Sequence, residues 1–376
     1  MPAYLDHAAT TPLRPEAREA MLPWLGERFG NPSGSHSLAR RARQAVDEAR
    51  QQMAQALGAD PGDIVFTAGG TEADNLALLG AAAGGTMVCS TIEHDAVLEC
   101  CRSTGGRLVD VDAGGLVDLD RLDGTLDSTV AVVSVMLANN EVGVIQPLDQ
   151  VVEVVRRRAP GALVHTDAVQ AFPWLDVAAL AAGADLVTVS AHKFGGPQGV
   201  GALVVRGGAR LAPVIHGGGQ ERGRRSGTHN VAGIVGMAAA ATATVAQRSD
   251  TVARVGRLRD RLADGLVAGV PGAVETGARA DKVAGSCHLR IPGVESEALL
   301  FLLDEAGVAA SAGSACASGA LEPSHVLLAM GIPPEEARSA LRLSLGWCST
   351  GAEVDLALAE VPKVVARLRQ TATVAP

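Results

Sequence analysis

The stretch Asp185-Leu-Val-Thr-Val-Ser190-Ala-His-Lys193-Phe-Gly-Gly-Pro197 decides the fold. Its first six residues form a short β-branched run of the kind buried on both faces in a parallel sheet. Lys193 follows just past the carboxyl end of that run, where open α/β sheets bind their ligands. Desolvation lowers the proton affinity of a lysine and makes its amine a nucleophile toward a carbonyl, which is the chemistry of a Schiff base. A lone lysine is more often a solvated loop residue, so its company decides between the two readings.

That company begins upstream. Ala162-Leu-Val-His-Thr-Asp167-Ala-Val-Gln170 reads as another strand ending in polar residues, and Asp167 lies 26 residues before Lys193. This is close to the ~30 residues of one strand-crossover-strand unit, which sets both residues at the same edge of neighbouring strands. A plain ion pair would satisfy the two. The same pair also meets the needs of a pyridoxal phosphate site, where a lysine holds the aldehyde and a carboxylate keeps the pyridine nitrogen protonated.

Four further segments carry chemistry. In Ile64-Val-Phe-Thr-Ala-Gly-Gly70-Thr71 a strand leads through a glycine turn into a helix start, whose amides bind anions; the alternative is a tight turn with Thr71 as N-cap. The strand Thr86–Ser90 is followed by His94, in a chain that is only 2% aromatic. The run Thr129–Val135 ends in Asn139-Asn140-Glu-Val-Gly143, where Asn140 could serve a ligand or simply satisfy turn backbone. The alternation of Ser339–Gly346 puts Arg342 and Ser344 on one face, and a planar guanidinium clamps a carboxylate bidentately. Between Ala309 and Gly319 every residue is small and no period appears, so Cys316 sits in a loop rather than a packed element.

The segments His165-Thr-Asp167-Ala-Val-Gln170, Ser190-Ala-His192-Lys193-Phe-Gly-Gly-Pro, Asn139-Asn140-Glu-Val-Gly and Gly313-Ser-Ala-Cys316 resemble the cysteine desulfurases, in the class V branch of fold-type I pyridoxal phosphate enzymes. The likeness runs from Tyr4 to about Gly346. It implies that Lys193 holds pyridoxal 5'-phosphate and shuttles protons, Asp167 pairs with the ring nitrogen and Gln170 with the ring hydroxyl. His94 stacks on the ring and acts as acid or base. Gly70, Thr71, Ser190 and His192 hold the phosphate, joined across a homodimer by Thr228 from the partner subunit. Asn140 and Arg342 bind substrate, and Cys316 forms the persulfide as L-cysteine becomes L-alanine. The implied acceptor is a protein such as an iron-sulfur scaffold or a tRNA-thiolation enzyme. After Ser226-Gly-Thr228 the chain has His229-Asn230, where the family pattern suggests a proline. The rival readings are an aminotransferase or lyase of the same fold, which needs Lys193 and Asp167 but no mobile cysteine, and a non-catalytic sulfur-carrier scaffold, which needs no intact cofactor set.

Composition narrows the rest. A chain of 376 residues, 47% hydrophobic, buries a sizeable core. The net charge of -9 argues against phosphate-backbone binding and so against a direct nucleic-acid partner. No stretch has both bilayer length and large apolar residues, and the start has no signal-peptide pattern, so a cytoplasmic protein without a membrane partner is expected. The six cysteines form no CxxC, and His and Cys lack zinc spacing, so neither disulfides nor a metal are expected. Cys89, Cys100 and Cys101 read as small buried hydrophobes.

The expected fold is α/β, a fold-type I transferase. A large, doubly wound, mainly parallel sheet domain covers 14–255, and a smaller α+β domain is built from 1–13 and 256–376. Helices are expected at Pro15–Leu25, Leu38–Leu57 and Leu148–Arg158, with more than one between Ala232 and Ala268. Gly199–Arg206 is expected to extend the βαβ alternation. The arginines of Leu38–Leu57, and Arg222, Arg224 and Arg225, are expected to be solvated.

Overall fold

The computed structural model describes residues 2–82, 84–313 and 323–372. Seven strands form one sheet, in the spatial order Ile64–Thr67, Gly201–Val205, Leu186–Ser190, Leu163–Asp167, Val130–Ser134, Thr86–Ser90 and Arg107–Val109. The last five of these run parallel. The lysine strand Leu186–Ser190 is buried at every residue, as its unbroken apolar and β-branched pattern requires.

Gly201–Val205 departs from the βαβ expectation, because it is antiparallel to both of its neighbours. Only ten residues separate it from Ser190, too few for a crossover helix, so the chain folds straight back. The turn at Gly195 has φ +86°, and a Cβ there would fall 2.4 Å from Arg14 Cγ. The helix Leu148–Arg158 has the expected bounds. The expected helix at Pro15–Leu25 is divided into an α-helix, Pro15–Met21, and a 3-10 turn, Leu22–Leu25. Pro23 offers no N–H to continue the α ladder.

The segment expected to hold several helices is one helix, Val231–Gly269, of 39 residues, about 58 Å long. Its first half packs Ile234, Met237, Ala238 and Ala241 into the core of the large sheet. Its second half packs Val255, Leu262 and Leu266 into another core with Leu289, Leu341 and Leu343. That second core lies against an antiparallel sheet of Ala340–Ser344, Ser286–Arg290 and Val274–Glu275. Leu5 joins the same core, and Ala3–Tyr4 pairs with Val308–Ala309. The N-terminal segment thus crosses from one core past the lysine turn to the other. Cys89, Cys100, Cys101 and Cys287 are buried free thiols. No helix among the described residues is long and apolar enough to cross a membrane.

Two charges expected in solvent are instead paired with carboxylates, Arg50 in the interior and Arg225 half-buried. Arg50, on the helix Ser37–Leu57, makes a bidentate pair with buried Glu221 at 2.7 and 2.8 Å. Glu221 also accepts from Phe66 N–H (3.0 Å) and lies 2.6 Å from His229 Nε2. Burial would raise its pKa, but the Arg50 and His229 bonds outweigh burial and hold it at about 2. Arg225 pairs with Glu72 at 2.7 Å. Helical period cannot flag such arginines, because their partners lie far along the chain.

Arg50→Ala strands Glu221 as a buried charge, with only Phe66 N–H and His229 left to compensate. A loss of about 3 kcal/mol in unfolding free energy is expected, read by denaturant titration. A loss below about 0.5 kcal/mol would mean that the pair is effectively solvated.

Candidate active site

The carboxyl ends of the parallel strands open into one cleft. Ala8, Ala9, Gly70, Thr71, His94, Asn140, Asp167, Gln170, Ser190, His192, Lys193 and Arg342 all line it. Residues scattered over some 330 positions of sequence therefore meet at one sheet edge.

Lys193 Nζ donates to the carbonyls of Ala8 (2.6 Å) and Ala9 (2.9 Å). Burial, and then the Arg342 guanidinium, push its pKa down to about 8. The chain holds three lysines. Lys282 is tied to Glu275, and Lys363 is on an outer helix face beside Glu360. Lys193 alone lines the cleft.

Asp167 ends its strand 5% exposed, with Oδ1 accepting from Val169 N–H at 2.8 Å. Burial raises its pKa, opposed by His94 and Lys193. Gln170 Nε2 donates to the Ala8 carbonyl (2.8 Å), the same oxygen that Lys193 uses. His94 caps the helix Asp95–Ser103, its Nδ1 accepting from Ala96 N–H, and leaves its ring exposed to the cleft. His192 contacts Thr10 Oγ1 at 3.1 Å, and burial beside Lys193 lowers its pKa to about 4. Its ring is therefore a neutral hydrogen-bonding group.

The alternative reading of the glycine turn, with Thr71 as N-cap, does not hold. Gly69 is extended and the helix begins at Gly70, so Thr71 is the second helical residue and not the N-cap. Glu72 Oε2 accepts from Ala68 N–H at 2.9 Å, just ahead of the helix. A Cβ on Gly70 would lie 3.1 Å from Val169 Cγ2 and 3.4 Å from Ser190 Cβ. The absent side chain leaves a cradle between two strand ends and a helix start, which suits a phosphate.

The two asparagines separate their roles. Asn139 satisfies the turn, its Oδ1 accepting from Glu141 and Val142 N–H, which leaves Asn140 at the cleft. Arg342 donates to the Asn140 carbonyl (3.0 Å) and to Asp6 (2.8 Å). Its Nε is buried without a hydrogen-bond partner among the described residues. An open guanidinium donor beside a lysine and an asparagine is suited to an amino-acid carboxylate.

Two expected residues are not in this group. Thr228 is exposed and outside the cleft of its own chain. Its loop is anchored by Glu221, His229 and Arg225, and Asn230 caps the long helix by accepting from Gly233 N–H. Cys316 lies outside the described residues. The stem Ser311–Gly313 before it lines the cleft, and Ser324 after it bonds to buried Glu141. Sequence reasoning missed the Ala8 and Ala9 carbonyls, Asp6 and buried Asp74. The carbonyls carry no residue-type signal, and Asp74 reads as one more polar helix residue.

A buried carboxylate at a strand end, a lysine of lowered pKa and a side-chain-free cradle at a helix start together fit the nitrogen, aldehyde and phosphate of pyridoxal phosphate. Known proteins similar to the chain agree with this fit. The chain matches the class-V aminotransferase family over residues 3–357. It is 41% identical to a cysteine desulfurase IscS of Methanosarcina thermophila, over 99% of this chain and 94% of that one. It is 44% identical to an IscS-like cysteine desulfurase of Mycobacterium tuberculosis, over 99% and 98%. Among solved structures, a NifS-like protein superimposes with a TM-score of 0.91 at 35% identity, covering 98% of this chain and 100% of that one. SspA in complex with cysteine superimposes with a TM-score of 0.80 at 31% identity, covering 93% and 100%.

Proposed function

The chain belongs to the class-V aminotransferase family and, within it, to the cysteine desulfurases, and from that membership we infer that it takes sulfur from L-cysteine with pyridoxal phosphate as cofactor. The observation that carries this reading is the meeting of Lys193, Asp167 and Arg342 in one cleft. Pyridoxal phosphate, when bound, supplies an electron sink that makes bonds near the substrate α-carbon labile.

The chain's own residues divide the remaining work. Lys193 holds the aldehyde end and moves protons at Nζ, helped by a pKa of about 8. With the cofactor bound, Asp167 would keep a proton on the ring nitrogen, Gln170 would bond the ring hydroxyl, and His94 would pack against the ring and exchange protons. Gly70, Thr71, Ser190 and His192 hold the phosphate. Arg342 clamps the substrate carboxylate, with Asn140 beside it. Cys316 takes the sulfur: the substrate C–S bond breaks, an S–S bond forms, and the thiol proton ends on the substrate carbon. L-Cysteine and a thiol thus become L-alanine and a persulfide, with atoms balanced.

In the same reading the protein is a homodimer in which Thr228 serves the phosphate of the partner subunit. Its exposure outside its own cleft supports this. The sulfur then passes to an acceptor protein of the iron-sulfur or tRNA-thiolation kind. The test is to incubate purified protein with L-cysteine and follow it by mass spectrometry and sedimentation. Alanine, a labile sulfur on Cys316 and a two-chain mass are expected. Pyruvate in place of alanine, or a fully active monomer, contradicts the reading.

A further inference from the structure

Beneath the cleft a file of buried polar side chains crosses the sheet, drawn from successive parallel strands. Ser90 Oγ donates to Glu93 Oε1 at 2.6 Å, and Met136 N–H donates to the same oxygen at 2.7 Å. Glu93 Oε2 lies 3.5 Å from Ser134 Oγ, which lies 2.8 Å from His165 Nδ1. His165 Nε2 then meets Thr188 Oγ1 at 3.0 Å and lies 3.5 Å from Asp74 Oδ1. The strands involved, Thr86–Ser90, Val130–Ser134, Leu163–Asp167 and Leu186–Ser190, are consecutive neighbours in the sheet. Glu93, His165 and Thr188 are fully buried, and Asp74 is 1% exposed with Oδ1 lacking a hydrogen-bond partner among the described residues. Asp74 also lines the cleft beside Asp167. None of these groups has a part in the reaction as described above.

We propose that Glu93 is a positioning residue, which acts through this file to set the charge at the Asp167 end of the cleft. The inference rests on the reading that Asp167 faces the ring nitrogen of the cofactor.

The Ser134 hydroxyl has a single hydrogen for two neighbours. When Glu93 is protonated, that hydrogen goes to His165 Nδ1, so the ring carries its hydrogen on Nε2, which faces Thr188 Oγ1 and Asp74 Oδ1. When Glu93 is ionised, the Ser134 hydrogen turns to Glu93, and the tautomer of His165 and the direction of Thr188 reverse. The bare Nε2 then faces Asp74 Oδ1, which favours the protonated form of Asp74. Burial supports the first arrangement at neutral pH. It raises Glu93 to about 8 and lowers His165 to about 3, which favours a protonated Glu93 and a neutral ring. Burial raises both Asp74 and Asp167, and at Asp167 the charges of His94 and Lys193 oppose it, which favours the negative charge there. The titratable groups that face Glu93 are Asp74, Asp167 and Cys89 through space, His165 through Ser134, the adjacent His94, and His325, whose Nε2 is 3.0 Å from the Glu93 carbonyl.

The test reads the visible absorbance of pyridoxal phosphate-loaded protein between about pH 6 and pH 10. The wild-type curve is expected to show an inflection near 8 as Glu93 ionises and adds negative charge beneath the ring. Glu93→Gln keeps the size and hydrogen-bonding capacity of the side chain without the charge, and should remove that inflection while leaving the curve below about pH 7 unchanged. Ser90→Ala removes a donor that favours the ionised form, and should move the inflection upward. A Glu93→Gln curve that superimposes on wild type, or a Ser90→Ala inflection that stays or falls, overturns the proposal. A wild-type protein that gains no visible band on loading would instead count against the cofactor reading itself, so the two failures are distinguishable.

Discussion

Lys193→Ala loses turnover by ~10⁴-fold or more, the upper end of what removing a proton-transferring group costs, and loses the covalently trapped cofactor. The expectation follows from the surroundings of the amine. Its carbonyl partners, Ala8 and Ala9, orient the amine without neutralising it, and burial beside Arg342 brings its pKa to about 8. At pH 7.5 or so an ordinary lysine of pKa ~10.4 is almost wholly charged, whereas Lys193 is partly free base and nucleophilic. The rate of cofactor attachment should therefore rise with pH and level off just above 8, where an unperturbed lysine would continue rising to about 10. Borohydride reduction followed by peptide mapping checks the assignment. With three lysines in the chain, a label on Lys282 or Lys363 would overturn it.

Cys316→Ser is expected to bind L-cysteine and still change the absorbance of the loaded protein, yet release alanine slower by ~10³-fold or more, since a hydroxyl is a far poorer nucleophile than a thiolate. Two tasks separate here. Docking the amino acid and moving its α-proton use Arg342, Lys193 and Asp167, which the substitution leaves alone. Breaking the C–S bond needs a sulfur nucleophile. A free thiol of pKa ~8.5 is only a few per cent ionised at neutral pH, so a base or a proton exchange with substrate must supply the thiolate. A stopped-flow spectrum together with an alanine assay separates the two tasks. Normal alanine release from the variant would make Cys316 structural and return the lead to an aminotransferase-like reaction.

What the sequence by itself determined was local. The lysine strand, the Asp167 strand and the helix Leu148–Arg158 were legible because burial on both faces, or on one face of a helix, leaves its period in neighbouring residues. The motif residues carried the cleft as well, since Asp167 ends a strand and Gly70, His94 and Lys193 lie just past strand ends that can be read directly. Tertiary structure alone decided the rest. Whether Val231–Gly269 is one helix or several depended on two cores gripping its halves, a fact absent from its own residues. Arg50 reads as a solvated charge until Glu221, 171 residues away, arrives to pair with it. Asn139 and Asn140 cannot be assigned to turn and cleft by type, only by which side chain the turn backbone captures. The proton state of the carboxyl groups under the cleft is likewise invisible in sequence. Asp74, Glu93 and Asp167 are ordinary acids until the sheet removes water from all three, and desolvation then leaves the charge where a cation can meet it.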